Sequence, residues 1–600
     1  MPLLQSPARR HVRQVGGGLT SKTHKQHLTR PTQSMPNPTV AEYVIARLAD
    51  LGIAHVFGLP GDFSFPFDDA IEASDKLSWI VSSNELNAAY SADGYARIYG
   101  AAILTSTYAV GELSALNGVM GAKAERLPVF HLVGAPSMRL ARSRKSIHHS
   151  FGDGESGQFR QLSEMTACAS TFLTPENTIS EMERVISAAL AQRQPAYITV
   201  PQDYALMPVV GKPIHGVPLP KVPTFSSDPR ELATALKTIG ARLSKAKFPV
   251  ILPAFTISRY GLQKELGRLL AATGIPFATT GMDKGVISES HPLYLGMYVG
   301  DASTPAVRKI VERADLVLNL GGVLFTDFST GLFSDHLQCS RIVTVWPDHV
   351  EVGASSDETA SQSRTFGPVH MKDVLAGLTK QASRHKTPSF PRPKPIPASG
   401  APGAQVTNAS VNSRIQQFLA PGDIVVVETG IASFTLSAVL LPNRAVYHNQ
   451  ALWGSIGWAT PAAFGAALAD PSRRVVLVTG DGSHQLTATE IGVMGRYGVK
   501  PILLVLNNGT FGIEEFLERN KNCDYNKLAP WQYQMIPEVM GCRDWFCTSV
   551  LTNAELASAL QKAREHPGAA YIEVLLGPKP IAPTSPAKLA AGYQSKPTKA

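Results

Sequence analysis

Residues 475–485 read VVLVTGDGSHQ, a strand-forming run that ends on an aspartate, Asp481, set between Gly480 and Gly482. Twenty-four residues separate Gly482 from the pair Asn507-Asn508. Ala488, Ile491, Met494 and Tyr497 mark a helical stretch between them; Gly498 and Pro501 then punctuate, and a second strand runs over 502–506. One βαβ unit makes the two strands parallel, so Asp481 and Asn508 emerge at the same carboxyl edge, where open α/β sheets bind ligands. Aspartate and asparagine side by side offer hard oxygen ligands suited to Mg²⁺. Gly480 and Gly482 let a ligand come close to the backbone, and the amides from Ser483 onward, opening the next helix, favour a phosphate. A lone GDG is only a glycine turn. With this spacing and these flanking elements it reads as a metal-bridged diphosphate site.

Other residues could move protons. Glu85, in SSNELNAAY, follows a strand and opens a helix; taken singly, it is as well explained as a partner of the helix dipole. His148 and His149, in SIHHSFGDG, sit in a polar loop where adjacent histidines are most often merely exposed, yet histidine is the side chain that proton delivery to a carbanion most often uses. Asp62 in GLPGDF and Glu514 in NNGTFGIEE add two acids. In LWGSIG, Gly454, Ser455 and Ile456 form a tight segment, of which Ile456 alone reads as core.

The elements that must position these groups alternate. Strand-like runs fall at 55–58, 79–82, 103–107, 129–133 and 197–200, then at 250–252, 316–320 and 342–345, and finally at 424–427, 475–478, 502–506 and 571–575. Helical stretches between them predict parallel α/β sheets. Six hundred residues exceed one core, and two proline-dense stretches, 207–229 and 385–403, read as semi-rigid joints. The expected organisation is a leader 1–36, domains 37–206, 230–384 and 404–580, and a tail 581–600. The first and third domains end alike, PAYITV against AAYIEV, which hints at two related outer domains around a different middle one.

The totals exclude several classes. Of the net charge of +9, six come from Arg9, Arg10, Arg13, Lys22, Lys25 and Arg30, and no acid precedes Glu42. The remainder is near neutral, so nucleic-acid binding is not expected. The leader lacks an obvious amphipathic arginine face; a disordered tail, or a start at Met35, is preferred to a mitochondrial transit peptide. No apolar run is long enough to span a bilayer. Five cysteines without a CxxC pair indicate neither zinc nor a disulfide framework and fit a reducing, cytoplasmic compartment.

From about residue 37 the chain resembles the thiamine diphosphate (ThDP) enzymes, and within them the 2-oxo acid decarboxylases acting on pyruvate, indolepyruvate or phenylpyruvate. FGLPGDF, NELNAAYSADGYAR, GELSALNG, the histidine pair, LWGSIG and GDGSHQLT carry the resemblance. It implies a pyrimidine-binding, a middle and a diphosphate-binding domain. It implies that Asp481, Asn508 and the main-chain carbonyl of Thr510, where glycine is common, ligate Mg²⁺, and that Gly480, Gly482 and Ser483 cradle the diphosphate. Glu85 would activate the aminopyrimidine, Ile456 would wedge the cofactor into its bent shape, and Gly454 would offer a carbonyl beside Ser455. Asp62, His148, His149 and Glu514 would move protons during decarboxylation and aldehyde release. Each site would combine the first domain of one chain with the third of its partner in a homodimer or homotetramer. Ile431, where a small polar residue is common, and Ser433, at a position that can be bulky, leave the substrate open, with larger 2-oxo acids slightly favoured. A carboligase forming acyloins and a non-catalytic binding subunit are the alternatives; the intact acids and histidines speak against the second.

Overall fold

The computed structural model describes residues 37–214, 216–219, 225–322, 336–353, 363–386, 389–517 and 523–577. The basic leader and the tail lie outside the described residues. The first sheet contains β1 (His55–Gly58), β2 (Ser78–Val81), β3 (Ala102–Thr107), β4 (Val129–Ala135), β5 (Ala169–Phe172) and β6 (Ala196–Pro201), in the order β2-β1-β3-β4-β6-β5. All its pairings are parallel. Strands β3 and β6 are buried along their whole length, as expected where helices cover both faces of a parallel sheet.

The middle sheet contains β7 (Pro249–Pro253), β8 (Phe277–Thr279), β9 (Tyr294–Met297), β10 (Leu316–Leu320), β11 (Ile342–Val345), β12 (Val350–Val352) and β13 (Arg364–Phe366). Its order is β13-β12-β11-β10-β7-β8-β9. It is parallel except where β12 meets β11 and β13. The third sheet has β14 (Ile424–Val427), β15 (Val446–His448), β16 (Val475–Gly480), β17 (Ile502–Asn507), β18 (Phe546–Val550) and β19 (Ala570–Leu575), in the order β15-β14-β16-β17-β19-β18. Counted within each domain, that is the order of the first sheet. PAYITV and AAYIEV fall on β6 and β19, equivalent strands next to the last edge strand. The expectation of two related outer domains therefore has a topological basis.

The first and third domains are packed together. Their apolar residues form one continuous core cluster, whereas the middle domain keeps its own. The contact centres on the helices Glu85–Tyr99 and Ala459–Ala469. Gly94 faces Ala462 and Gly465 faces Ser91, and a Cβ at either glycine would collide with main-chain atoms of the facing helix. The absence of a side chain at these two places is what lets the helices cross so closely. Among the described residues, no helix is long and apolar enough to cross a membrane.

Candidate active site

β16 delivers Asp481 to the carboxyl edge of the third sheet, as its first helical residue in Asp481–Thr487. The side chain turns inward and is 2% exposed. Oδ2 accepts from the N–H groups of Asn508 (3.0 Å) and Gly509 (2.7 Å), and Oδ1 from that of Gly482 (3.0 Å). Burial pushes its pKa up to about 6, against the downward pull of those N–H groups. Among the described residues it has no cationic side chain as partner. A buried carboxylate in that condition calls for a counter-charge, and a metal ion supplies one.

Asn508 follows β17, and its Oδ1 accepts from the Thr510 N–H at 3.3 Å. Thr510 keeps a negative φ, so threonine in place of glycine carries no backbone strain. Its hydroxyl donates to Glu515 (2.8 Å), which leaves its carbonyl as the group suited to a metal.

Asp481, Asn508 and Thr510 border a cavity of about 90 Å³, together with Gly480, Gly482, Ser483, Ile456 and Glu514. A Cβ on Gly482 would come within 2.6 Å of the Phe511 ring, so the protein's own packing demands that glycine. A Cβ on Gly480 would meet no atom within 4 Å; it would project into open space at the cavity. Asn408, the first residue of the helix Asn408–Phe418, also lines the cavity, and its Nδ2 is buried with no hydrogen-bond partner. A bare glycine, an orphaned donor and an uncompensated carboxylate suit a metal-bound diphosphate.

The Gly454–Ile456 segment is clamped to the first domain. Trp453 Nε1 donates to Asn117 Oδ1 (2.8 Å), and Asn117 Nδ2 donates to Ser455 Oγ (3.1 Å) and Tyr90 OH (3.0 Å). The Ser455 amide donates to Gln450 (3.0 Å), and Gly454 takes a φ of +70° that favours glycine. Beneath this loop Glu428, 1% exposed, accepts from the amides of Thr429 (3.0 Å) and Ala459 (3.2 Å). Burial raises its pKa to about 7.

The first sheet carries the remaining candidates at its own carboxyl edge. Glu85 is the first residue of its helix, capped by Asn84, whose side chain accepts from the Asn87 amide. Its Oε1 lies over Gly111, where a Cβ would be 3.1 Å away. Asp62 Oδ2 stands 2.8 Å from His148 Nε2, and the His148 ring stacks on Phe63 at 4.9 Å between centroids. His149 is held at φ +56° with a buried, unpartnered Nδ1. Asp62, His148 and His149 thus form one cluster with ligand atoms within 4.8 Å of one another. Neither that cluster nor Glu85 lines the Asp481 cavity, whereas Glu514 does. Asn408, Glu428, Tyr90 and Asn117 had not been singled out from the sequence, whereas Ser455 had.

Models of the thiamine pyrophosphate enzymes match this chain in three parts. The N-terminal TPP binding domain matches residues 38–156, the central domain 236–362 and the C-terminal TPP binding domain 429–574. An alpha-keto-acid decarboxylase of Mycolicibacterium paratuberculosis is 37% identical over 535 residues, covering 88% of this chain and 92% of that protein. The chain belongs to the ThDP-dependent 2-oxo acid decarboxylase family. Another relative, the alpha-keto-acid decarboxylase of Mycobacterium tuberculosis H37Rv, is 35% identical over 537 residues, with coverage of 88% and 92%. Among solved structures, benzoylformate decarboxylase from Polynucleobacter necessarius aligns with a TM-score of 0.74 at 18% identity, over 90% of this chain and 99% of that one. A putative thiamin diphosphate-dependent enzyme from Mycobacterium smegmatis gives 0.73 at 20% identity, over 90% and 100%. Both show that the family's three-domain fold is the one described above.

Proposed function

We propose that this protein decarboxylates a 2-oxo acid without oxidation, releasing an aldehyde and CO₂, with ThDP and Mg²⁺ at the edge of the third sheet. The observation that carries this reading is Asp481, a buried carboxylate without a cationic side chain, bordering a cavity whose floor is a bare glycine. Asp481, Asn508 and the Thr510 carbonyl would hold the metal; Gly480, Gly482, Ser483 and Asn408 would hold the diphosphate. When bound, the cofactor supplies the carbon nucleophile and the electron sink that decarboxylation needs.

The chain's own groups do the rest. Glu85 would hold the aminopyrimidine through a proton shared at its carboxyl group, and Gly454 and Ile456 would fix its orientation. His148, positioned by Asp62 at 2.8 Å and by the Phe63 ring, is the group we assign to moving a proton at the reacting carbon, with His149 beside it and Glu514 on the opposite domain. Glu85 and the histidine cluster stand apart from the Asp481 cavity of their own chain, which favours a homodimer or homotetramer in which a partner's first domain completes each site. Ile431 lines the same cavity, and the Ser433 hydroxyl is turned to the Gly430 carbonyl (2.9 Å). On that basis we favour the larger 2-oxo acids. Cys168, Cys542 and Cys547 form no disulfide, in keeping with a reducing, cytoplasmic compartment. We also propose the domain limits 37–206, 230–384 and 404–580.

The test is a substrate panel. Protein with ThDP and Mg²⁺ is given pyruvate, a branched-chain 2-oxo acid, phenylpyruvate and indolepyruvate, and CO₂ and aldehyde are followed. Release of both is expected, with the highest kcat/KM for an aromatic acid. An acyloin as main product would move the assignment to a carboligase, and no turnover with cofactor bound would refute it.

A further inference from the structure

A second cavity, of about 230 Å³, lies where all three domains meet, away from the Asp481 edge. Arg97 of the first domain, Arg259 of the middle and Arg473 of the third all line it, with Glu125, Asp283 and His448. The acceptors there are engaged. Asp283 takes the Phe255 amide (2.8 Å) and the Thr280 hydroxyl (2.6 Å), and Glu125 takes the Leu452 amide (3.1 Å). Lys284, also at the cavity, is matched by Glu289 at 2.6 Å.

The donors are only partly matched, and Arg259 least of all. Arg259 is 7% exposed, yet among the described residues its guanidinium makes one hydrogen bond, from Nε to the Glu125 carbonyl (3.1 Å), and has no carboxylate partner. Burial, and after it the charge of Arg97, pulls its pKa down to about 9. Arg97 is better matched: Nε pairs with Asp93 (2.7 Å), Nη1 donates to the Asn449 carbonyl (2.8 Å) and Nη2 forms an ion pair with Glu125 at 3.5 Å, although Nη2 makes no hydrogen bond, nor does the buried His448 Nε2. Arg473 donates to the main-chain carbonyls of Gly422, Asp423 and Arg444. A buried guanidinium is retained at a cost unless an anion meets it, and its planar fork matches the paired oxygens of a carboxylate or phosphate.

We propose that this junction is a binding site for a small oxyanion, inorganic phosphate or a short carboxylate, gripped by Arg97, Arg259 and Arg473. One residue from each domain reaches the same ligand, so its binding ties the three sheets together and stabilises their assembly by mass action.

The experiment uses the whole chain saturated with ThDP and Mg²⁺, so that the diphosphate cavity is filled. Phosphate, and in a separate arm malonate, replaces chloride at constant ionic strength while the thermal midpoint and the heat of binding are followed. A saturable rise in midpoint with one site per chain is expected, and the arm that saturates identifies the oxyanion class. Arg259→Gln should weaken binding about tenfold or more. Arg473→Gln, at a less buried position, should act in the same direction and keeps the test open if Arg259→Gln does not fold. The proposal is overturned if chloride stabilises equally, if neither anion saturates at concentrations on the order of 10 mM, or if both variants bind like the parent.

Discussion

The first and third sheets have the same strand order, and each sets a buried acid just beyond its third strand. After β3 that acid is Glu112, 1% exposed, which accepts from the Ala109 amide (2.9 Å), the Ser163 hydroxyl (2.7 Å) and the Tyr197 hydroxyl (2.8 Å). Every donor belongs to its own domain, and the carboxylate is closed into the fold. After β16 the acid is Asp481, which accepts only main-chain amides and borders a cavity. One framework thus carries two outcomes. Where side-chain hydroxyls surround the acid it supports its domain; where glycines surround it, a charge is left for a ligand to meet. In the proposed function the first sheet contributes instead Glu85 and the Asp62–His148–His149 cluster, at its own carboxyl edge.

The largest effect that could break this comparison comes from exchanging the two acids' fates. Asp481→Ala should abolish binding of ThDP with Mg²⁺ and lower turnover about a thousandfold or more, as expected when a buried charge facing the reacting system is lost. Titration calorimetry and steady-state rates measure it. Unchanged cofactor affinity would mean that the cavity is not the diphosphate site.

Glu428 sharpens the contrast, because it is a third buried acid and also lies in the third domain. Its pKa in the fold is about 7, raised by burial from an ordinary value of 4.5. The folded chain therefore holds that proton more tightly than the unfolded chain, and stability falls as pH rises between those two values, by ~3 kcal/mol in total. Below that window both states are protonated and the group has no effect. Denaturant unfolding at pH 5 and pH 8 should show a slope that Glu428→Gln reduces; an identical slope would contradict the assignment.

Glu112→Gln should cost about 2 kcal/mol of stability through the weakened acceptor while leaving ThDP affinity as it was. A loss of affinity larger than the loss of stability would remove the distinction between supporting and binding acids. The smallest effect belongs to Ala109, held at φ +54° and ψ −88° before the helix that carries Glu112. Ala109→Gly relieves that strain and should stabilise the chain by ~1 kcal/mol, read from the shift of the unfolding midpoint.

Much of this contrast was legible in the sequence because it rests on pattern. The inner strands open on apolar runs, and β3, β16 and β17 were found within two residues of their ends. The edge strands β5, β15 and β18 were missed. β15 has three residues and β18 is half-buried along most of its length, so neither carries a continuous apolar signal. Asp481 and Asn508 are singled out by their spacing, whereas Glu85 is singled out only by the motif around it, since its place at a helix start is explained equally well by the helix dipole. Asn408 and Glu428 are single polar residues whose importance lies in burial, and burial of one side chain leaves no periodicity to read. The close crossing at Gly94 and Gly465 was equally hidden, because each glycine is explained by a helix distant in sequence. The oxyanion cavity joins arginines from three domains, and only the fold brings them together.

The division of labour between the two edges can be tested by mixing chains. Glu85→Gln and Asp481→Asn variants, each inactive alone, are co-expressed, and CO₂ and aldehyde release from the best 2-oxo acid is measured. If the acid–base groups of one chain serve the cofactor edge of another, the mixture regains activity well above either variant alone. If mixed oligomers form and remain as inactive as their parents, the two edges do not cooperate across chains and the account is contradicted.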